Sequence, residues 1–512
     1  MQMSVWTFSF FTLFTLGVLA KDIALNPEGS LPFSHEMLIA RAAIAAQEPF
    51  IPYEDSRELI PVSPQDWFKI RFLQGYMPWN HGAHQSFIEL NYPASFFPSR
   101  ARAFWVDHGT VGEIVFSNDL FDGVPPDTKI SSSSRPGFSG LRYLTDLRSG
   151  EESRESWLMF LGDQSYRAKI GNGPYGSYCI PLNVTLKSHE AYEKAPQFTE
   201  FYLESRETPD SPEVLYTVID GTALTGVYRF STRRNATGVI QDVEATLFIR
   251  RSVVTLDLIP LVTSFAFSEV DREKYSDVQP EVHDADGLLL HEKQDAWFWR
   301  PLNIPNDTRT SVFKVDTLTG LGLIQRDRDP DHYQEASSPH LAPNVWIEPI
   351  EPFGAGEIRL TEQGKNVPST ENVWIAYRPS GETLPGSSLH LHYKIHWIAD
   401  NPEANGLARC IATRIGRLNE KNGKRPPEAY RFRLEYQGTS IARNDLSDET
   451  LKVTLSNGNL LGKRIIHPPH STRWFAEVDL KLASEEEAEL EVIPERNGRP
   501  FAEGWRYSFK AP

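Results

Sequence analysis

The sequence predicts an all-β protein, a large N-terminal β-sandwich followed by a small one. Two compositional observations and one pattern carry this. Pro and Gly are frequent, 37 and 33 among 512 residues, which suits many short strands joined by turns. Aromatics are abundant, with 12 Trp, 18 Tyr and 29 Phe. From Pro64 onward, runs of Phe, Tyr, Val and Ile with partial period-two alternation are separated by Pro, Gly, Asn and Asp, as half-buried antiparallel strands should be. With 40% hydrophobic and 23% charged residues, the chain is an ordinary globular one of two or three domains.

The elements follow in order. Val5 to Leu19 is almost without polar groups, and Lys21 is the first charged residue. That length is short for a membrane span and suits the core of a signal peptide, residues 1–20. Val18 and Ala20 offer the small or modest residues that cleavage after Ala20 needs, although no Lys or Arg precedes the apolar run. Ser34 to Gln47 reads as a helix, capped by Ser34 and rich in good helix formers. Strand-like runs follow at Ser86–Tyr92, Ala103–Val106, Glu113–Phe116, Val214–Ile219, Gly226–Phe230, Ala245–Arg250 and Val373–Tyr377. Leu389–Trp397 alternates cleanly, with Leu389, Leu391, Tyr393, Ile395 and Trp397 on one face and His390, His392, Lys394 and His396 on the other. The first domain therefore spans 21–398, residues 399–406 have linker composition, and 407–512 carry the short strands of a small sandwich.

Several function classes fall away. A net charge of −16, with no basic stripe, argues against nucleic acid and against an anionic membrane surface. Two cysteines, Cys179 and Cys410, exclude a disulfide scaffold and read as buried free thiols. There is no G-x-S-x-G, no phosphate-binding glycine loop and no C-x-x-C. Asp327, Asp329 and Asp331 resemble a calcium loop, but His332 stands where Gly is needed and Ser338 where Glu is needed. An ion pair of Arg328 with Asp329 at a turn is the plainer reading. His390-Leu391-His392 has zinc-like spacing without a visible third ligand, so a solvated strand face is expected. No metal and no cofactor is implied. The sequons at Asn183, Asn235 and Asn306 matter only in a glycosylating secretory pathway.

Chemistry concentrates between Glu281 and Glu371. That stretch holds Glu281-Val282-His283-Asp284, Trp297, Trp299, Arg300, Arg326, Asp327, Arg328, Tyr333, Trp346, Glu348 and Glu371-Asn372. Flat aromatic faces stack on pyranose rings, and charged groups bond the hydroxyls. Glycoside cleavage needs two carboxyl groups, and spacing alone does not choose the pair.

A set of motifs running almost end to end settles the comparison. They include Asp66-Trp67-Phe68-Lys69-Ile70-Arg71-Phe72, Phe160-Leu161-Gly162, Thr225-Gly226-Val227-Tyr228-Arg229-Phe230 and Pro280-Glu281-Val282-His283-Asp284. Trp299-Arg300-Pro301-Leu302-Asn303, Gly322 to Asp329, Trp346-Ile347-Glu348-Pro349 and Ala412-Thr413-Arg414 continue the series. In these the chain resembles the osmoregulated periplasmic glucan biosynthesis proteins, the OpgG/OpgD (MdoG) family. Coverage is most of residues 34 to 415, with a looser match beyond.

The resemblance implies a periplasmic protein with a galactose-mutarotase-like β-sandwich and an immunoglobulin-like domain. It implies β-glucan, a β-1,2-linked glucose polymer, as the bound partner. Some members look like inverting endo-β-1,2-glucanases, and by that likeness Asp284 is the general base. The family's general acid is the aspartate of an Asp-Asn pair, and here Glu371-Asn372 stands in its place, a departure that carries the carboxyl about one methylene further out. Thr361 to Thr370, just before it, looks remodelled. Trp297, Trp299, Tyr333 and Trp346 are candidates for sugar stacking, although a strand-borne Trp in a sandwich is more often core. Arg300, Arg326 and Arg328 are candidates for hydroxyl contacts or for holding the carboxylates. Two readings stay open: an enzyme that trims glucan, and a glucan-binding scaffold that guides nascent chains. A third is an assembly protein whose immunoglobulin-like domain contacts a membrane-bound glucan synthase. A homodimer is a further expectation.

Overall fold

A computed structural model describes residues 31–51, 62–73, 87–94, 100–128, 136–145, 155–162, 164–186, 196–270, 278–293, 296–364, 371–402, 406–419, 423, 425–438, 450–468 and 471–512. The signal peptide expected at 1–20 lies outside these residues. Among the described residues no helix is long and apolar enough to cross a membrane.

The protein is nearly all β. The one helix of more than a single turn among the described residues, His35–Ala45, is the one that the sequence predicts. Ser34 begins it in extended backbone, its hydroxyl accepting from the Met37 amide at 3.2 Å. Leu38 and Ala42 then lie on one face and pack on Phe104, Val106, Tyr202, Tyr216 and Val227.

Two large sheets form the sandwich. The longer runs through Gln197–Glu204, Glu213–Asp220, Leu224–Asn235, Gly238–Ile249, Ser388–Ile398, Asn344–Pro349, Gly320–Ile324, Gly287–Glu292 and Ala296–Pro301 as antiparallel neighbours. The other, of ten strands, takes the order Arg309–Val315, Gly356–Glu362, Val373–Pro379, Val253–Thr263, Tyr178–Cys179, Tyr166–Ala168, Ser156–Leu161, Gly140–Leu144 and Ile88–Leu90, with Leu182–Leu186 pairing beside Val253–Thr263. Alternation decides which side of each strand faces the core. In Gly238–Ile249, Val239, Gln241, Val243, Ala245, Leu247 and Ile249 are buried, while the residues between are half-exposed from Ile240 onward. In Ser388–Ile398, Leu391, Tyr393, Ile395 and Trp397 point inward, the face the sequence assigns them. Phe160, Tyr166, Tyr228, Phe230, Tyr377 and Tyr393 meet between the sheets in one continuous core.

The C-terminal residues form a four-stranded sheet, Arg409–Arg417, Ala429–Gln437, Arg473–Lys481 and Asn459–Ile466. Gly504–Lys510, Glu487–Arg496 and Leu451–Leu455 instead extend the longer sheet. Gly504–Lys510 pairs in parallel with Ala296–Pro301, Phe298 opposite Gly504 and Trp299 opposite Trp505. Hydrogen bonding thus runs without a break from the first half of the chain into the last. The expected linker lies between the strand ending at Ile398 and the one beginning at Arg409, and its residues 403–405 are outside those described. Cys179 and Cys410 are both free and buried, as read from the sequence.

Candidate functional site: two carboxylates beside the ten-stranded sheet

The Asp284 segment is built around a buried histidine. Val282–His283 is a short strand paired with Phe265–Phe267, His283 opposite Phe265. The His283 ring stacks on Phe265 with centroids 5.6 Å apart and meets the Tyr333 edge at 5.3 Å. Its Nε2 faces Glu281 Oε2 at 2.9 Å and Asp286 Oδ1 at 3.3 Å. Its Nδ1 faces Gln325 Oε1 at 3.0 Å, and that amide is oriented because Gln325 Nε2 donates to the Tyr333 hydroxyl. Both ring nitrogens therefore meet acceptors, and the ring is an imidazolium. Burial pushes its pKa down, but Asp286 and Glu281 outweigh that and hold it up at about 9. Close by, burial and the charges of Glu281 and Asp286 push Glu269 up to about 8, and this carboxyl accepts from the Thr413 amide at 2.9 Å.

Asp284 follows His283 and is half-buried, its amide donating to the Ser264 carbonyl at 2.9 Å. Burial pushes its pKa up to about 6; the charges of Glu335 and Glu371 add to the rise, and those of His283 and Arg167 oppose it. Thr263 pairs with Val373 just after Glu371-Asn372, and Phe265 pairs with His283 just before Asp284, so the two carboxylates stand on adjoining segments. Glu371 is exposed at the start of the segment leading into Val373–Pro379, and Tyr178 donates its phenol proton to Glu371 Oε2 at 2.9 Å.

The strands around Glu371 form a row across the outer face of the ten-stranded sheet. Directly opposed residues share a face. Tyr178 is opposite Val262, Val262 opposite Trp374, and Trp374 opposite Thr361. Arg142 is opposite Met159, and Met159 opposite Arg167. The pairing of Cys179 with Tyr166 sets Tyr178 next to Arg167, which joins the two halves of the row. Arg142, Met159, Arg167, Tyr178 and Trp374 are half-buried, while Cys179, Tyr166 and Phe160 on the opposite face are fully buried. Arg167 lies over the Tyr175 ring at 5.1 Å, and Tyr175 shares a 2.6 Å hydroxyl bond with Ser156. The result is an open surface of aromatic and guanidinium faces beside two carboxylates, which has the chemistry to bind sugar rings and to move protons at one of them.

The other candidates from the sequence lie elsewhere. Trp297 stacks between His291, at 4.3 Å, and Trp346, at 5.3 Å. With Trp299 these belong to the core beneath the C-terminal strands, covered to 3–6% exposure. Covered rings present no face to a sugar, so the stacking expected of Trp297, Trp299 and Trp346 is replaced by packing. Arg300 is 1% exposed and pairs with Glu362 at 3.0 Å. Arg326 makes a two-pronged bond to Glu503 at 2.8 and 2.9 Å, with its guanidinium 3.7 Å above Trp299. Arg328 donates to the carbonyls of His340 and Ala342 and to Asn344 Oδ1, not to Asp329. Asp329 instead caps the short helix Pro330–Tyr333. Tyr333 is buried against His283 and donates to the Asp327 carbonyl, so it shapes the ground under Asp284 without reaching the surface. Residues 365–370 of the remodelled loop lie outside those described.

Among the described residues, three groups bring imidazole and carboxylates close enough to hold a cation: Glu281, His283 and Asp286; Glu281, Asp327 and His332; and Asp242, Glu244 and His392. The last answers the His390-Leu391-His392 motif, whose His392 Nε2 bonds Asp242 Oδ1 at 3.0 Å. In each group an imidazole nitrogen already serves a carboxylate. Sequence reading missed Arg167, Tyr175, Tyr178 and Trp374. Each looks like an ordinary half-buried strand or loop residue, and only cross-strand register gathers them.

The family model described as periplasmic glucan biosynthesis protein, MdoG, matches residues 33–509. Glucans biosynthesis protein D 2 of Ralstonia nicotianae is 29% identical, covering 97% of this chain and 95% of its own. Glucans biosynthesis protein D of Xylella fastidiosa is 29% identical over 96% and 92%, and that of Xanthomonas campestris pv. campestris 25% over 96% and 93%. The chain belongs to the family of periplasmic glucan biosynthesis proteins.

Proposed function

We propose that this protein is a periplasmic inverting endo-β-1,2-glucanase acting on the backbone of osmoregulated glucans. Asp284 is the general base that activates water, and Glu371 is the general acid that protonates the leaving glycosidic oxygen. The observation that carries the reading is that one tract, Thr263 to Phe265, pairs with Val373 just after Glu371-Asn372 and with His283 just before Asp284. A base poised at about 6 is half-ionised in a mildly acidic compartment and fully so at neutrality. Tyr178 steadies Glu371, and Arg167, Tyr175 and Trp374 are the surface on which the glucan lies. An inverting enzyme keeps its carboxyls roughly 6.5–9.5 Å apart to seat the water.

The test is to incubate the mature protein with linear β-1,2-glucan and count new reducing ends. Asp284→Asn and Glu371→Gln are each expected to lower the rate by about 10²–10⁴-fold. No cleavage by the parent, with glucan binding kept in all three proteins, would establish a binding scaffold instead.

A further inference from the structure

The two carboxylates stand on different segments, 87 positions apart in the chain, yet a tract of three residues pairs with the segments that carry them. Thr263 pairs with Val373, which starts the strand after Glu371-Asn372. Two residues on, Phe265 pairs with His283, and the Ser264 carbonyl between them accepts the Asp284 amide at 2.9 Å. Between these pairings the Asn372 side chain replaces a strand's backbone. Its Oδ1 accepts from the Phe265 amide at 3.0 Å and its Nδ2 donates to the Phe265 carbonyl at 2.7 Å. Only one orientation of the amide satisfies both bonds. The backbone of Asn372 is held as well, its carbonyl accepting from the Gln363 amide at 2.9 Å.

We infer that Asn372 is a positioning residue that sets the separation of Asp284 and Glu371, by stapling the Glu371 segment to the Phe265 backbone. This rests on the reading of those two residues as acid and base. The Asp284 side of the tract is anchored by His283, whose ring is bonded at both nitrogens and stacked on Phe265. On the other side Glu371 is exposed, and its position follows from the Tyr178 bond and from Asn372, to which it is covalently joined. An amide of this length is needed for the paired bond. Ala offers neither group, and Asp offers the acceptor while placing a second oxygen against the Phe265 carbonyl.

A positioning role predicts a particular loss. With Asn372→Ala, kcat on β-1,2-glucan is expected to fall about 10²-fold while KM stays within about threefold. A β-1,2-linked oligoglucoside carrying a nitrophenolate leaving group needs no proton from Glu371, so its rate should fall less than about fivefold. Asn372→Asp keeps the side-chain volume and one of the two bonds, and should fall between parent and Ala. Crystal structures of parent and Asn372→Ala read the carboxyl separation directly. An equal loss on both substrates, or a separation unchanged within about 0.5 Å, overturns the inference. A parent that cleaves neither substrate overturns the glucanase reading, and the measured separations then judge the staple by themselves.

Discussion

In its proposed role as base, Asp284 sets function against stability. Its pKa stands at about 6 in the folded protein against 3.8 for an ordinary aspartate. The folded state therefore binds the proton more tightly than the unfolded state, and stability falls as pH rises from about 4 to about 6 and then levels off. Asp284→Asn removes the cost of the buried charge. It should be more stable than the parent above pH 6, by about 3 kcal/mol, with the difference vanishing below about pH 4. Urea unfolding of both proteins at pH 3.5 and pH 7.5 measures this. A constant difference at both pH values would show that the carboxyl's charge is not the cause. Activity should run the other way: only ionised Asp284 can take a proton, so kcat/KM should fall on the acid side with a midpoint near 6.

At the scale of elements, one buried carboxylate ties the end of an edge-side strand to the sandwich. Glu362 closes the strand Gly356–Glu362 with no exposure at all. It accepts from Arg300 at 3.0 Å, Arg309 at 2.7 Å and the Asn303 amide at 2.9 Å. Replacing it by Ala leaves the Arg300 guanidinium buried without its counter-charge, which costs about 3–5 kcal/mol. Chemical denaturation of Glu362→Ala checks that figure, and a loss under about 1 kcal/mol would mean that water replaces the carboxylate there. The neighbouring strand, Val373–Pro379, carries Trp374 and follows Glu371, so this ionic anchor also fixes one wall of the candidate site.

Over the whole molecule, the C-terminal strands act as structural cover. Trp297, Trp299 and Trp346 share a core with Tyr436, Trp474 and Trp505, and Arg326 on the first half pairs with Glu503 on the second. The sheet itself crosses the junction through Phe298 and Gly504. A chain ending at Pro402 exposes three tryptophans and strands Arg326, and it should be recovered chiefly as aggregate. Soluble yield and the binding of an apolar dye are the measurements. A monodisperse, glucan-binding truncate would show that the first half folds without its cover.

Local chemistry accounts for the elements that could be read from the chain alone. Ser34 and the Ala-rich run after it make a helix, because capping and propensity act within a few residues. Leu389–Trp397 shows its inward face, because side chains alternate along any strand. Asp284 and Glu371 were legible through resemblance and not through spacing. The tertiary structure decided which aromatics meet solvent. Trp297 and Trp374 both sit in apolar strand sequence, but one is covered by strands some two hundred residues further along the chain and the other is left half-open. It also decided that Tyr178 and Arg167 stand beside Glu371 and that Asn372 spans to Phe265. Those facts belong to the pairing register of distant strands, which no single segment carries.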